Sequence, residues 1–294
     1  MTSEPLSYAV VTPVRNEAAN IRRLAESLVR QRQLPRAWVV VDTGSTDQTS
    51  ATVDHLTRSH PWIVVISLDG AGPLVRGGTV ARAFELGFAN LASPTDVVVK
   101  LDADTSFEPD YFERLLAEFA ADPALGIASG TCFERRRGVW RERHVTGTTV
   151  WGASRAYRRA CLEDVLPLEQ RMGWDGVDEF RANARGWTTR TFRQLPFRHH
   201  RREGERDGAM WRARRNQGLA AHYLGYSAWY LILRSLWNAH REPSALAMIA
   251  GYAGAALKRA PQSSDESARA YLRSQQSLRA LRLRAHEAVG RREP

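Results

Sequence analysis

Cysteine is nearly absent: 294 residues hold only Cys132 and Cys161, each isolated and without metal-ligand spacing. A disulfide-stapled scaffold is excluded, and free buried thiols in a reducing compartment are expected. No stretch reaches the ~18 consecutive apolar residues of a membrane span. The start, Met1-Thr2-Ser3-Glu4-Pro5, lacks the basic segment and apolar core of a secretory leader. No repeat of fixed period occurs. Acidic residues are in deficit, 32 against 42 Lys and Arg, giving a formal net charge of +10. That surplus favours anionic partners: nucleotide phosphates, nucleic acid or an acidic membrane surface. The rest is ordinary, with 43% hydrophobic and 25% charged residues, enough for one large core or two modest ones.

The first half alternates strand and helix. Apolar runs at Tyr8–Val14, Trp38–Val41, Trp62–Ile66 and Val97–Leu101 read as buried strands. Helical apolar spacing lies between them at 17–32, from Ser45 to about His60, and at 79–91. Ser45, with Gln48 three residues on, reads as an N-cap. A glycine-containing loop, Gly70–Gly78, precedes the third helix. Such an order predicts a mostly parallel sheet covered on both faces.

The fourth strand ends in Asp102-Ala103-Asp104. Residues two apart on a strand point to one side, so the two carboxylates are aimed together. They repel unless a cation or donor lies between them, and a hard divalent ion that also holds substrate phosphates fits that position. A solvated turn is the plainer reading. Two other strand tips are polar, Thr12-Pro13-Val14-Arg15-Asn16-Glu17 and Asp42-Thr43-Gly44-Ser45. Right-handed crossovers would bring all three to one sheet edge, where ligands of such sheets bind.

After Asp110 the pattern changes. Helices are expected at 111–121 and 154–166, strands at 126–133 and 148–152, and an edge strand at 188–192. The run Glu134-Arg135-Arg136-Arg137-Gly138 reads as a solvated charged turn. Gly173-Trp174-Asp175-Gly176-Val177-Asp178-Glu179 opens a helix. Its acids serve the helix dipole or supply a general base. His199-His200 falls in a basic stretch and becomes a ligand pair only if the fold returns it to Asp104. Residues 219–237 are rich in aromatics, Leu246–Leu257 is an apolar helix, and a basic helix starts near Ser263-Ser264-Asp265. These final helices either lie on an anionic membrane or pack as an appendage with a solvated basic face.

Taken in order, Thr12-Pro13-Val14-Arg15-Asn16-Glu17, Asp42-Thr43-Gly44-Ser45-Thr46-Asp47, Asp102-Ala103-Asp104 and Trp174-Asp175-Gly176-Val177-Asp178-Glu179 resemble the family 2 glycosyltransferases of the GT-A fold. The similarity spans roughly residues 6 to 200. It implies an α/β fold: a GT-A-like, Rossmann-type nucleotide-binding sheet with a C-terminal helical appendage. The expected domains are 1–205, with a nucleotide-sugar half to about 105 and an acceptor half beyond it, and a basic, aromatic-rich helical region 206–294. The resemblance further implies that Pro13, Arg15 and Glu17 contact the nucleoside, that Asp42 binds the base, and that Asp102 and Asp104 bind Mn²⁺ or Mg²⁺ and the sugar diphosphate. Asp104 grips the ion while Asp102 faces the sugar or ribose. His199 or His200 supplies a further metal ligand.

The family's usual Glu-Asp base motif is replaced here. The Trp-x-Gly-x-Asp frame favours Asp178 as the base, a gapless match back from Gly186-Trp187 favours Asp175, and Glu179 is a third choice. Where many relatives carry a loop lysine this chain has Thr79, with Arg76 and Arg82 near to serve a phosphate. Trp151, Trp174 and Trp187 are candidates for sugar stacking or for the core.

The implied activity is inverting, metal-dependent transfer of a hexose-like sugar from a UDP-, GDP- or dTDP-sugar to a saccharide or lipid-linked acceptor. It belongs to cell-surface glycan synthesis, at the cytoplasmic face of the membrane and peripheral to it, with no nucleic acid as partner. Two alternatives stand beside it. A nucleotidyltransferase of related fold would need a glycine-rich phosphate loop after the first strand, where none occurs. A non-catalytic binder of anionic membrane or nucleic acid would leave the acidic rim unexplained.

Overall fold

The computed structural model describes residues 5–68, 77–136, 138–143, 149–201, 210–240, 242–277 and 280. The chain divides into two compact units: a sheet unit, Met1–Trp174 with Gly186–Arg201, and a helical unit, Asp175–Arg185 with Arg202–Pro294.

The sheet unit begins with β1 (Tyr8–Val14), α1 (Ala18–Val29), β2 (Ala37–Asp42), α2 (Thr49–Ser59), β3 (Ile63–Ser67), α3 (Gly78–Ala89) and β4 (Val97–Leu101). All five residues of β4 are buried, Lys100 among them, as a strand covered on both faces requires. The α1 helix buries Ile21, Leu24, Ala25 and Leu28, the one-face spacing of a helix packed on a sheet. Then come β5 (Thr105–Phe107), α4 (Tyr111–Ala121), β6 (Leu125–Arg136), β7 (Val139–Glu142), β8 (Ser154–Arg158), α5 (Arg159–Val165) and, after an excursion into the helical unit, β9 (Thr188–His199). The nine strands form one sheet in the order β3-β2-β1-β4-β8-β6-β9-β5, with β7 paired to β6. The core beneath it is aromatic: Phe112 stacks on Tyr8 at 4.9 Å and meets Phe107 at 5.1 Å.

Several elements depart from expectation. Only β3-β2-β1-β4 and the β6–β9 pair are parallel; β8, β5 and β7 pair antiparallel, so the sheet is mixed. The helix expected from Ser154 is a strand until Arg158, because β4 and β6 take it between them and ladder pairing overrides its local preference. No strand forms at 149–152. The edge strand expected at 188–192 is β9, which continues to His199 between β6 and β5. The charged turn at Glu134 is instead the end of β6, and Glu134 is 2% exposed. Ser45 does not cap α2: its N–H and hydroxyl both donate to Asp42, and α2 starts four residues later. Most of the Gly70–Gly78 loop lies outside the described residues.

The helical unit holds α6 (Trp174–Ala184) from its second residue onward, with α7 (Met210–Tyr223), α8 (Ala228–Ala239), a 3₁₀ turn (Pro243–Leu246), α9 (Ala247–Leu257) and α10 (Glu266–Gln275). Backbones of α7 and α9 touch. A Cβ on Gly218 would lie 2.0 Å from Met248 O, and one on Gly251 2.0 Å from Arg215 O, so only glycine fits at either crossing point. Ala221, Leu231 and Met248 form the small core, flanked by Tyr226 and Tyr252. Asp265 caps α10, its Oδ1 accepting from Ala268 N–H at 2.9 Å, and its Oδ2 accepts from Arg181 Nε at 2.7 Å.

Candidate active site on the sheet edge

Parallel pairing sets the carboxyl ends of β2, β1 and β4 side by side, with Val14 opposite Asp42 and Val11 opposite Lys100. Side chains stitch the first two tips together. Asn16, at a left-handed φ of 55°, accepts from Thr46 N–H at 2.8 Å, and its own N–H donates to Ser45 Oγ at 3.1 Å. Glu17 N–H donates to Thr49 Oγ1 at 2.7 Å. Asp42 is spent on its own turn: Oδ1 accepts from Gly44 and Ser45, and Oδ2 from Ser50 Oγ at 2.7 Å. Pro13 is half-buried, and Arg15 and Arg82 are exposed. Arg76 lies outside the described residues.

The third tip carries the densest chemistry. β5 pairs with β9 so that Thr105 faces His199, and His200 N–H donates to Asp104 O at 2.8 Å. This register places His199 Nε2 3.3 Å from Asp104 Oδ1. Asp102, Asp104 and His199 each offer a ligand atom, all within 4.8 Å of one another. Two carboxylate oxygens and an imidazole nitrogen suit Mn²⁺ well and Mg²⁺ adequately, so the residues fit the implied ion. His199 Nδ1 lies 3.4 Å from Glu134 Oε1, a carboxylate behind the ligand of the kind that fixes an imidazole's orientation. Cys132 and Glu134 form a second such cluster with the same histidine.

Charge around this cluster is tightly matched. Burial disfavours an imidazolium at His199, but hydrogen bonds to Asp104, Cys132 and Glu134 outweigh it and push its pKa up to about 12. Burial likewise opposes the charge of Asp104, yet His199 and Arg201 hold its carboxyl below the usual range. His200 behaves oppositely. Burial and nearby Arg23 lower its pKa to about 4; its Nε2 bonds Ser106 Oγ at 2.8 Å and its ring meets Trp140 edge-on at 5.3 Å. Of the two histidines, the structure brings His199 to the aspartates.

Three site residues escaped the sequence reading. Lys100, 3% exposed, pairs with Asp102, donates to Gly152 O at 2.8 Å and sits 5.9 Å from the Trp174 ring centre. A lysine inside an apolar strand was the signal. Arg201 grips Glu17 with two bonds of 2.7 Å and lies 3.6 Å from Asp104 Oδ2, linking the first tip to the third. Glu134 was hidden in the presumed turn.

Trp174 is buried with Lys100 at its face, Trp187 donates to Asp164 at 2.8 Å, and Trp151 is half-buried with Arg143 5.9 Å from its ring. Within the helical unit, Asp175 is half-buried and Asp178 and Glu179 are buried in the opening turns of α6, Asp178 Oδ1 accepting from Glu179 N–H at 2.6 Å.

A family model described as Glycosyl transferase family 2 matches residues 9–168. Succinoglycan biosynthesis protein ExoA of Rhizobium meliloti (strain 1021) is 33% identical over 131 residues, 43% of this chain and 38% of that protein. Chondroitin synthase of Pasteurella multocida (strain Pm70) is 26% identical over 123 residues, 42% of this chain and 12% of the synthase. The chain thus spans well under half the length of these relatives. Among solved structures, the mannosyltransferase PcManGT from Pyrobaculum calidifontis, in complex with GDP-Man and Mn²⁺, aligns with a TM-score of 0.56 at 19% identity over 98% of this chain and 81% of its own. S. aureus TarS 1-349 in complex with UDP-GlcNAc aligns with a TM-score of 0.54 at 17% identity, over 73% of this chain and 66% of its own. At such identities the likeness is one of fold, that of the GT-A glycosyltransferases. With more than half of its length inside the family model, the chain belongs to glycosyl transferase family 2.

Proposed function

We propose that the protein transfers a sugar, with inversion, from a nucleoside diphosphate donor to a glycan or lipid-linked acceptor in cell-surface glycan synthesis. The observation that carries the reading is the convergence of Asp102, Asp104 and His199 beside the stitched tips of β1 and β2. Relatives named for polysaccharide synthesis, and neighbours solved with GDP-Man and Mn²⁺ or with UDP-GlcNAc, support it.

Asp104 and His199 would hold a divalent ion, with Asp102 turned toward the donor. The ion's chemistry is to offset the charge that develops on a departing diphosphate. Lys100 pairs with Asp102 and offsets its charge. Arg201 holds Glu17 and Asp104 in place before a donor arrives, so little reorganisation accompanies binding. We assign Asp178 as the base that takes the acceptor hydroxyl proton, Asp175 and Glu179 being the alternative assignments. A lipid-linked acceptor would place the reaction at the cytoplasmic face of the membrane. Among the described residues no helix is long and apolar enough to cross it.

A thermal-shift screen of UDP, GDP and dTDP, with and without Mn²⁺, tests the donor site. A ligand of the native state at 100 times its Kd stabilises by about 2.7 kcal/mol. One nucleotide should raise Tm by several degrees only with Mn²⁺ present; no shift with any of them refutes the reading.

A further inference from the structure

We propose that the outer face of α8, with the groove between α8 and α9, docks the protein on an anionic bilayer surface. This goes beyond the catalytic reading and does not depend on it. Trp229, Ile232, Leu233, Leu236 and Trp237 are 41%, 41%, 51%, 54% and 57% exposed. Their spacing puts all five on one arc of α8, while Leu231 and Ser235, on the opposite arc, are 1% and 0% exposed and supply the packing. Single exposed apolar residues are ordinary, but a contiguous stripe ending in a tryptophan at each end marks an interaction surface. The stripe continues through Ile232 into a groove of about 460 Å³ that is lined from α9 by Ile249, Ala253 and Leu257. Leu257 is 85% exposed.

Charge chooses the partner. From Met210 to Ala260 the chain carries seven Lys and Arg against one acidic residue, Glu242, and Arg214 binds that acid through both its oxygens at 3.2 and 2.5 Å. The segment that carries the stripe is therefore net positive, and its single acid is already paired. Arg234 borders the stripe on α8, and Lys258 and Arg259 follow Leu257, all three exposed. Leucines directed at acyl chains, tryptophans at headgroup depth and cations at lipid phosphates are the parts of an interfacial helix. At 12 residues α8 is about 18 Å long, too short to span and suited to lying flat.

The test is flotation of the full chain with vesicles of equal parts phosphatidylglycerol and phosphatidylcholine, and with vesicles of phosphatidylcholine alone. The wild type should float with the anionic vesicles at low salt, with a blue shift of tryptophan emission. Leu233→Ser combined with Trp237→Ser should weaken partitioning about a hundredfold, roughly tenfold per residue withdrawn from the interface. Lys258→Glu with Arg259→Glu should abolish the preference for anionic vesicles; it keeps the test alive should the serine changes unfold α8. Asp104→Asn should float as the wild type does, so failure of the donor-site reading is told apart from failure of this one. No flotation of the wild type overturns the proposal. So does flotation of the serine variant equal to wild type, and so does a lipid-free dimer that the serine variant abolishes in a protein that ignores vesicles.

Discussion

Binding of Mn²⁺ should expel a proton from His199, and the consequence is measurable. In the metal-free protein both ring nitrogens face acids, Nε2 at 3.3 Å from Asp104 and Nδ1 at 3.4 Å from Glu134, and the pKa is raised to about 12. An imidazole must be neutral to ligate. Across pH 6.5 to 8.5 each ion bound therefore displaces one proton, and log Kd falls by one for each pH unit. That is tenfold, or about 1.4 kcal/mol, per unit and about a hundredfold over the window. Asp104 stays ionised there, its pKa being lowered, and His200, lowered to about 4, stays neutral, so neither adds slope. Calorimetric titration with Mn²⁺ in two buffers of different ionisation enthalpy counts the proton directly. His199→Ala should lose both the proton and the slope. A wild-type Kd that is flat across the window would falsify the assignment of His199 as a protonated ligand in waiting. The same raised pKa favours the metal-free fold most below about pH 6.5, and that contribution fades as pH climbs toward 12.

Asp178→Asn should leave nucleotide binding intact by thermal shift while lowering kcat at least a hundredfold in a sugar-transfer assay; surviving transfer moves the base elsewhere. Lys100→Met removes a buried cation whose partner Asp102 is 36% exposed and can rehydrate. The loss should be about 1–2 kcal/mol by urea denaturation, below the 3–5 kcal/mol of a fully buried pair. Phe112→Ala, at a position 0% exposed between Tyr8 and Phe107, should cost about 3–5 kcal/mol in the same assay.

The parallel part of the sheet was legible because both faces of β1, β2 and β4 are buried, leaving largely apolar runs interrupted only by Thr12 and Pro13 in β1, Asp42 at the end of β2 and Lys100 in β4. The antiparallel part was not. Ser154–Arg158 is a strand only because β4 and β6 enclose it, and its Arg155 is wholly buried by bonds to Tyr157 Oη and Val150 O that no local pattern announces. The aspartate pair could be read from its spacing, but not its orientation, because Asp102 to Asp104 form the turn between β4 and β5 and strand alternation does not aim them. Which histidine joins it could not, because that choice rests on the register of β5 against β9, elements some ninety residues apart in the chain. Nor does any local signal show that α6 groups by compactness with the C-terminal helices.

The pairing of Thr105 with His199 has a practical corollary for anyone dissecting this chain. A fragment ending near residue 105 would keep both aspartates yet lack the imidazole, the Glu134 behind it and the arginine that clamps Glu17. Its acidic tip would be an electrostatic liability rather than half of a site. An Asp-x-Asp found by scanning sequences is in this sense only a promissory note, redeemed when a distant strand delivers its nitrogen.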